Sequence, residues 1–410
     1  MLRLRLVCLL TLLLIASCTP SAGPNAPQSL ETAWGPAYAI ASAEQVSAPA
    51  LAVDGARVFA GWIGSDTRGV HHDARVLAPG LTAESVTLPL PPVYPYAQQA
   101  YSSLAGNVHL LWLDANKAGV TELYSALISP ALTVERGPTP IAADVNARRY
   151  AALPVGDGAL SVLWSGASLA EPSLFLSRID LAGRPALRTH LTDNADYPAL
   201  LRTHDGQVYA FWLNTTDKRF YTASLQEATA FSPVRLAYGP DLGVTDRLLG
   251  VYAAADTAYQ YLFWTIQRAD GQFDSWVMTA PTLTGEWTAP RQVRLQHEAS
   301  ANPYETGFNS GPAQVAAWGE TPISHVMPLS SPSDRLPVAG LWAGQVGLIY
   351  FQAGEIVAAQ TIAPANPLAA PALAVDQSRF LYLAWAQPDA NAPASLLLTT
   401  LQPLGAETPQ

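Results

Sequence analysis

Residues 205–214 read DGQVYAFWLN, and the same phrase returns along the chain. AGNVHLLWLD (105–114), DGALSVLWSG (157–166), DGARVFAGWIG (54–64) and QSRFLYLAWAQ (377–387) each run into an apolar stretch holding one tryptophan. Trp62, Trp112, Trp164, Trp212 and Trp264 fall 50, 52, 48 and 52 residues apart, a period that marks a repeat architecture. Within one period four short β-type runs follow one another. Around Trp112 they are AYSSLAG, NVHLLWLD, TELYSALIS and LTVERGPTPI; around Trp212 they are PALLRTHD, GQVYAFWLN, RFYTASLQ and SPVRLAYG. Gly, Pro, Asn or Asp bound most of them and supply turn geometry. No amphipathic helix of useful length separates them.

Four antiparallel strands repeated many times predict an all-β fold, a β-propeller. Runs such as VHLLWL and VYAFWL are apolar on both faces, which suits a second strand sandwiched between neighbouring blades. A tryptophan there buries about 150–250 Å², so it reads as the key between blades. After Trp264 the next matches are GQVGLIYFQ, with Tyr350 in the tryptophan position, and RFLYLAWAQ with Trp385. That count gives seven blades. AQVAAWGE, ending near Trp318, leaves eight open, and six is the other alternative. The last repeat lacks a fourth strand, whereas GPAYAIASA (35–43) precedes a first blade already complete. The N-terminal strand is therefore expected to finish the last blade and close the ring. Tandem β-sandwiches would need periods of ~100 residues, which do not occur.

Composition bounds the function classes. Hydrophobic residues make up 49% and charged residues 13%, which argues for a packed globule. The formal charge of −10 leaves no basic stripe for phosphates, so nucleic acid is not an expected partner. No G-x-S-x-G, Walker or Rossmann glycine pattern is present, and no cofactor is expected.

The start of the chain, MLRLRLVCLLTLLLIASC, has Arg3 and Arg5 ahead of an apolar core from Leu6 to Ile15, and closes on Ala16-Ser17-Cys18. Small residues before the cut are what a secretory leader requires. Ending on cysteine, the stretch resembles a bacterial lipoprotein signal, which implies a leader over 1–17 and acylation of Cys18. An ordinary secretory signal or an uncleaved anchor are the alternatives. The expected organisation is then a lipidated flexible spacer over 18–32, rich in Pro, Ser, Ala and Gly, a propeller over 33–404 and a tail over 405–410. The resemblance implies an extracytoplasmic protein held to a bacterial cell membrane or outer membrane through lipid on Cys18. With Cys8 removed and Cys18 acylated, the mature body has no disulfide and no thiol nucleophile.

In a propeller the connections entering the innermost strands gather at one mouth of the channel, where function concentrates. VYPYAQQAY, NARRYAAL, NADYPALL, TDRLLGVY and SDRLPVAG are read as those entrances. They bring Tyr94, Tyr96, Gln98, Arg148, Arg149, Asp196, Tyr197, Asp246, Arg247, Asp334 and Arg335 to the mouth. Guanidinium forks bind carboxylates bidentately, so Arg148, Arg149, Arg247 and Arg335, with Tyr96, Tyr197 and Asp196, are the ligand-binding candidates. The plainer reading pairs those arginines with Asp196, Asp246 and Asp334 as rim salt bridges.

Repeats of the form P-A-L-A-V-D…G…hydrophobic-W are similar to those of sialidase-like propeller proteins over most of residues 45–401. That resemblance implies three arginines on a substrate carboxylate, a Tyr–Glu nucleophile and an Asp acid/base. Arg148 or Arg149, Arg247 and Arg335 are the positions to which the arginine role carries over. The Asp-box S-x-D-x-G-x-x-W is absent, and the Tyr304–Glu305 pair in NPYETGFNSG sits in the long irregular interval. In VHHDARV, His71 and Asp73 share a strand face and His72 takes the other, so no metal site is expected. Asp193, Asn194 and Asp196 lack the spacing of a calcium loop and read as a turn. The functional expectation is a membrane-anchored module binding a protein or glycan at the mouth; a sialidase-like glycoside hydrolase and an envelope assembly scaffold are the alternatives.

Overall fold

The computed structural model describes Trp34 and residues 37–401, except 226–230, 296–318, 365–368 and shorter runs of one to three residues. It is a seven-bladed β-propeller. Blade 1 spans 45–87, blade 2 spans 96–140, blade 3 spans 146–193 and blade 4 spans 195–235. Blade 5 spans 247–292, blade 6 spans 324–364 and blade 7 spans 372–401. Tyr38–Ala43 pairs antiparallel with Ala392–Leu401, so the first strand of the chain is the outermost strand of blade 7, as expected. Ring closure thereby covers an edge that would otherwise stand open.

The second strands are buried on both faces: Val108–Ala115 is covered along seven of its eight residues. Trp62, Trp112, Trp164, Trp212, Trp264 and Trp385 are all at most 2% exposed. Each indole belongs to a core shared with the preceding blade. Trp62 packs among Ala374, Ala384 and Leu396 of blade 7, and Trp164 packs with Leu111 and Leu123 of blade 2. Trp264 packs with Phe211 and Phe220 of blade 4. The residue opposite the tryptophan on the third strand is aromatic in blades 2 to 5: Tyr124, Phe175, Tyr221 and Trp276. Ring centroids of the Trp112–Tyr124, Trp164–Phe175 and Trp212–Tyr221 pairs lie 5.7, 4.4 and 5.9 Å apart, stacked, an arrangement worth about 0.5–1.5 kcal/mol beyond burial.

Blade 6 corrects the strand reading. Gln345–Gln352, expected as the second strand, is the third; the second is Leu336–Trp342, and the inner strand is Ser324–Pro328. Register places Gly340 where the other blades carry tryptophan, opposite Gly347. The facing glycines leave a gap that Trp342, two residues on and on the same strand face, fills. A Cβ at Gly347 would fall 2.0 Å from the Trp342 ring. Trp342 joins the core between blades 5 and 6, so the interblade key persists with a shifted residue. Blade 5 is followed by a two-stranded ladder, Arg294–Leu295 with Thr321–Pro322, on either side of residues 296–318. AQVAAWGE up to Trp318 lies outside the described residues, as do the leader, the spacer and the tail.

Candidate functional site

Inner strands meet the mouth through irregular backbone. In blade 2 the pairing jumps between Tyr96 and Gln99, and in blade 4 between Asp196 and Ala199. Two residues there oppose one tryptophan, a β-bulge that turns side chains toward the mouth. Tyr197 consequently sits at φ 56°, a left-handed conformation that costs a bulky residue about 1–3 kcal/mol. In blade 3 a single bulge falls between Ala147 and Arg149 and turns Arg148 outward.

These distortions bring five of the predicted residues to one cleft of about 450 Å³, lined by Tyr96, Asn146, Arg148, Arg149, Asp196 and Tyr197 from blades 2, 3 and 4. That volume falls within the roughly 300–1,000 Å³ typical of small-ligand sites. Asp196, 4% exposed, organises it. Its Oδ1 accepts hydrogen bonds from the Ser165 hydroxyl (2.6 Å) and the Tyr197 N–H (2.8 Å); its Oδ2 accepts one from Arg149 Nη1 at 2.6 Å. Arg148 Nη1 stands 3.9 Å from the same Oδ2. The Arg149 guanidinium lies 3.7 Å over the centroid of the Tyr197 ring, a cation–π contact. Tyr197 donates its hydroxyl to Leu248 O at 2.8 Å, tying blade 4 to blade 5. Burial pushes that hydroxyl up; Arg149, Arg247 and Arg148 pull it back and Asp196 opposes them.

Arg247 opens the inner strand of blade 5 (Arg247–Ala255), exposed, on the far side of Tyr197. Asp246 does not pair with it. The Asp246 carboxylate accepts from Arg268 Nη1 (2.6 Å), Gly243 N (2.9 Å) and Ala269 N (3.2 Å). Arg268 also donates to Asp274 at 2.8 Å. The expected rim pairing therefore holds for Arg149 and Asp196 alone. Arg247 has no ion pair among the described residues, and Arg148 has only the 3.9 Å approach.

Arg335 is not at this mouth. It follows the turn that leaves the inner strand of blade 6, and that turn is bonded to the far end of the blade 5 inner strand: Ser331 N to Ala255 O at 2.8 Å, and Thr257 N to Ser333 O at 3.0 Å. The cause is the shifted strand assignment of blade 6. Asp334 stays with it and accepts from Gln352 Nε2 at 2.6 Å. Tyr304 and Glu305 lie outside the described residues. His71 Nε2 meets Asp73 Oδ2 at 3.0 Å, whereas His72 turns to the other face and contacts Gln98 Oε1 at 2.7 Å through Nδ1. Asp193 accepts from Ser173 and contacts His190.

Sequence reading missed the groups that hold the mouth in shape. Asp114, 3% exposed, accepts from the backbone N–H of Val93 (3.0 Å) and Tyr94 (2.6 Å), which fixes the 93–96 segment and displays Tyr94 at 74% and Tyr96 at 44% exposure. Buried Tyr150 donates to Ala97 O and to Leu111 O (3.0 Å), locking blade 3 to the bulge of blade 2. The signal for Asp114 was present: it is the last residue of the recurring AGNVHLLWLD phrase.

No protein-family model and no curated protein matches this sequence. Solved structures match the fold. The polysaccharide lyase Uly1 is similar at a TM-score of 0.54 and 10% identity, over 90% of this chain and 92% of that one. A puromycin hydrolase is similar at 0.51 and 17% identity, over 87% of this chain and 52% of that one. A protein of unknown function from Dyadobacter fermentans reaches 0.47 at 9% identity, over 90% and 99%. At these identities the first two likenesses establish a shared fold and nothing finer.

Proposed function

We propose that this protein is an extracytoplasmic, lipid-anchored propeller that binds a protein or glycan ligand at its channel mouth. The observation that carries the reading is the cleft between blades 2, 3 and 4, where a buried carboxylate orients Arg149 and leaves Arg148 with only a 3.9 Å approach, while Arg247 of blade 5 stands exposed beside Tyr197. Two guanidinium groups without a close ion pair at one mouth of a chain of net charge −10 are a local reversal of its field and select for an anionic ligand group. The lipoprotein-like start of the chain supports the address, and two or more acyl chains give a stable tether where one does not. In the sialidase-type arrangement carried over from the resemblance, Arg335 would join Arg247 and Arg148 or Arg149, and Arg335 is at the other mouth.

The full-length protein in detergent micelles, applied to glycan and peptide arrays, tests the binding claim. Hits lost in Arg148→Ala and Arg247→Ala support it; hits indifferent to both move the site elsewhere. For the address, metabolic labelling with an alkyne fatty acid should mark the wild type and not Cys18→Ala. Equal labelling of the two would remove the anchor.

A further inference from the structure

The cleft joins two kinds of surface within one small volume. On the blade 2 side stands Tyr96, 44% exposed, its backbone held in place by the Asp114 bonds to the segment before it. On the blade 3 side stands Arg148, turned outward by its bulge and 39% exposed in its side chain. Beyond Tyr197 stands Arg247. The carboxylates that could neutralise this charge are engaged elsewhere, Asp196 chiefly by Arg149 and Asp246 by Arg268.

A flat phenol ring and a guanidinium without a close ion pair in one cleft fit a ligand whose apolar face and anionic group belong to one rigid unit. A hexuronate residue is such a unit: its ring C–H groups form a face that covers an aromatic ring, and its carboxylate projects from the ring edge. Asn146 lies alongside, its Oδ1 accepting from Thr121 N at 3.2 Å and its amide N–H groups left for ring hydroxyls. An acidic peptide offers Arg148 the same kind of carboxylate, but on a flexible chain with no rigid apolar face to cover Tyr96.

We infer that the mouth binds a hexuronate residue of an acidic glycan, with Tyr96 under the sugar ring, Arg148 on the carboxylate and Arg247 adding to the field. This deepens the proposed reading of the mouth as a binding site and rests on it. Because Arg148 and Arg247 are exposed and make no close ion pair, replacing them should leave the fold intact, so binding reports on their charge and hydrogen bonds to the ligand.

The test is a titration of the full-length protein in detergent with trigalacturonate, maltotriose and an acidic hexapeptide. Trigalacturonate should bind, weaken with added salt, and lose about ten- to hundredfold in affinity in Arg148→Gln, the loss expected when a hydrogen bond to a charged group is removed. Arg247→Gln and Tyr96→Ala should each weaken it, Arg335→Gln should not, and maltotriose should not bind. Absence of trigalacturonate binding, or binding indifferent to Arg148→Gln, overturns the inference. If the hexapeptide binds in an Arg148-dependent way while trigalacturonate does not, the glycan assignment falls and the mouth stands. If array ligands bind regardless of both arginines, the mouth itself falls.

Discussion

Replacement of Trp164 by alanine addresses the interblade key directly. Trp164 is fully buried, stacks on Phe175 at 4.4 Å and donates its Nε1–H to the Ser177 hydroxyl at 3.1 Å. Burial of about 150–250 Å² at about 25 cal/mol per Å² gives roughly 4–6 kcal/mol for the whole side chain as an upper value, of which alanine retains a part. The truncation also leaves a cavity between blades 2 and 3 and removes the partner of Ser177, itself 2% exposed. Large-to-small replacements of this kind cost about 3–5 kcal/mol. For a chain of this length the upper half of that range lowers the melting temperature by about 5–7 °C. Far-UV circular dichroism is the assay, since fluorescence changes with the loss of the indole itself. Trp164→Phe retains a ring against Phe175 and gives up the hydrogen bond, so it should fall between wild type and Trp164→Ala. Val244→Ala, at a fully exposed residue, should stay within about 0.5 kcal/mol of wild type. A Trp164→Ala protein as stable as Val244→Ala would mean that the indole does not hold the blades together.

Deleting Tyr38–Ala43 should cost more than any single core residue, because it strips Ile40 (3% exposed) from the core between blades 7 and 1 and bares the edge of Ala392–Leu401. Size-exclusion chromatography should show concentration-dependent association through that edge; a monomer of wild-type stability would refute closure by this strand. A second expectation concerns pH. Burial holds His72, His109 and His325 below the ordinary histidine value of 6.5, so once the pH drops below that value the unfolded chain takes up protons that the folded chain refuses. Stability should be level above about pH 7 and decline between pH 6.5 and 5, a window above that in which the ion-paired aspartates titrate. The combined His72→Gln, His109→Gln and His325→Gln protein should lose that decline; an unchanged slope in thermal melts would show that other groups set it.

What the sequence disclosed follows from what repeats. The period-50 tryptophan is a packing requirement met blade after blade, so it survives in the sequence and gives the ring, the strand count per blade and the closing strand. Blade 6 escaped because its requirement is met differently. Gly340 and Gly347 face each other, Trp342 supplies the indole from two positions along, and nothing in the spacing distinguishes that solution from Tyr350 standing in for tryptophan. One misplaced strand inverted the end of the channel assigned to Arg335. The mouth was legible for a related reason: inner strands begin at the same point of each period, so Tyr96, Arg148, Arg149, Asp196 and Tyr197 could be placed together by counting. Which carboxylate takes which guanidinium could not be counted, because it depends on the local path by which each chain segment enters its inner strand. Adjacent residues Asp246 and Arg247 part company, and Asp246 reaches 22 residues on to Arg268, while Asp196 reaches back 47 residues to Arg149. Arg149 and Arg268 thus take up the two aspartates of these entrances, and Arg148 and Arg247 are left without a close ion pair among the described residues.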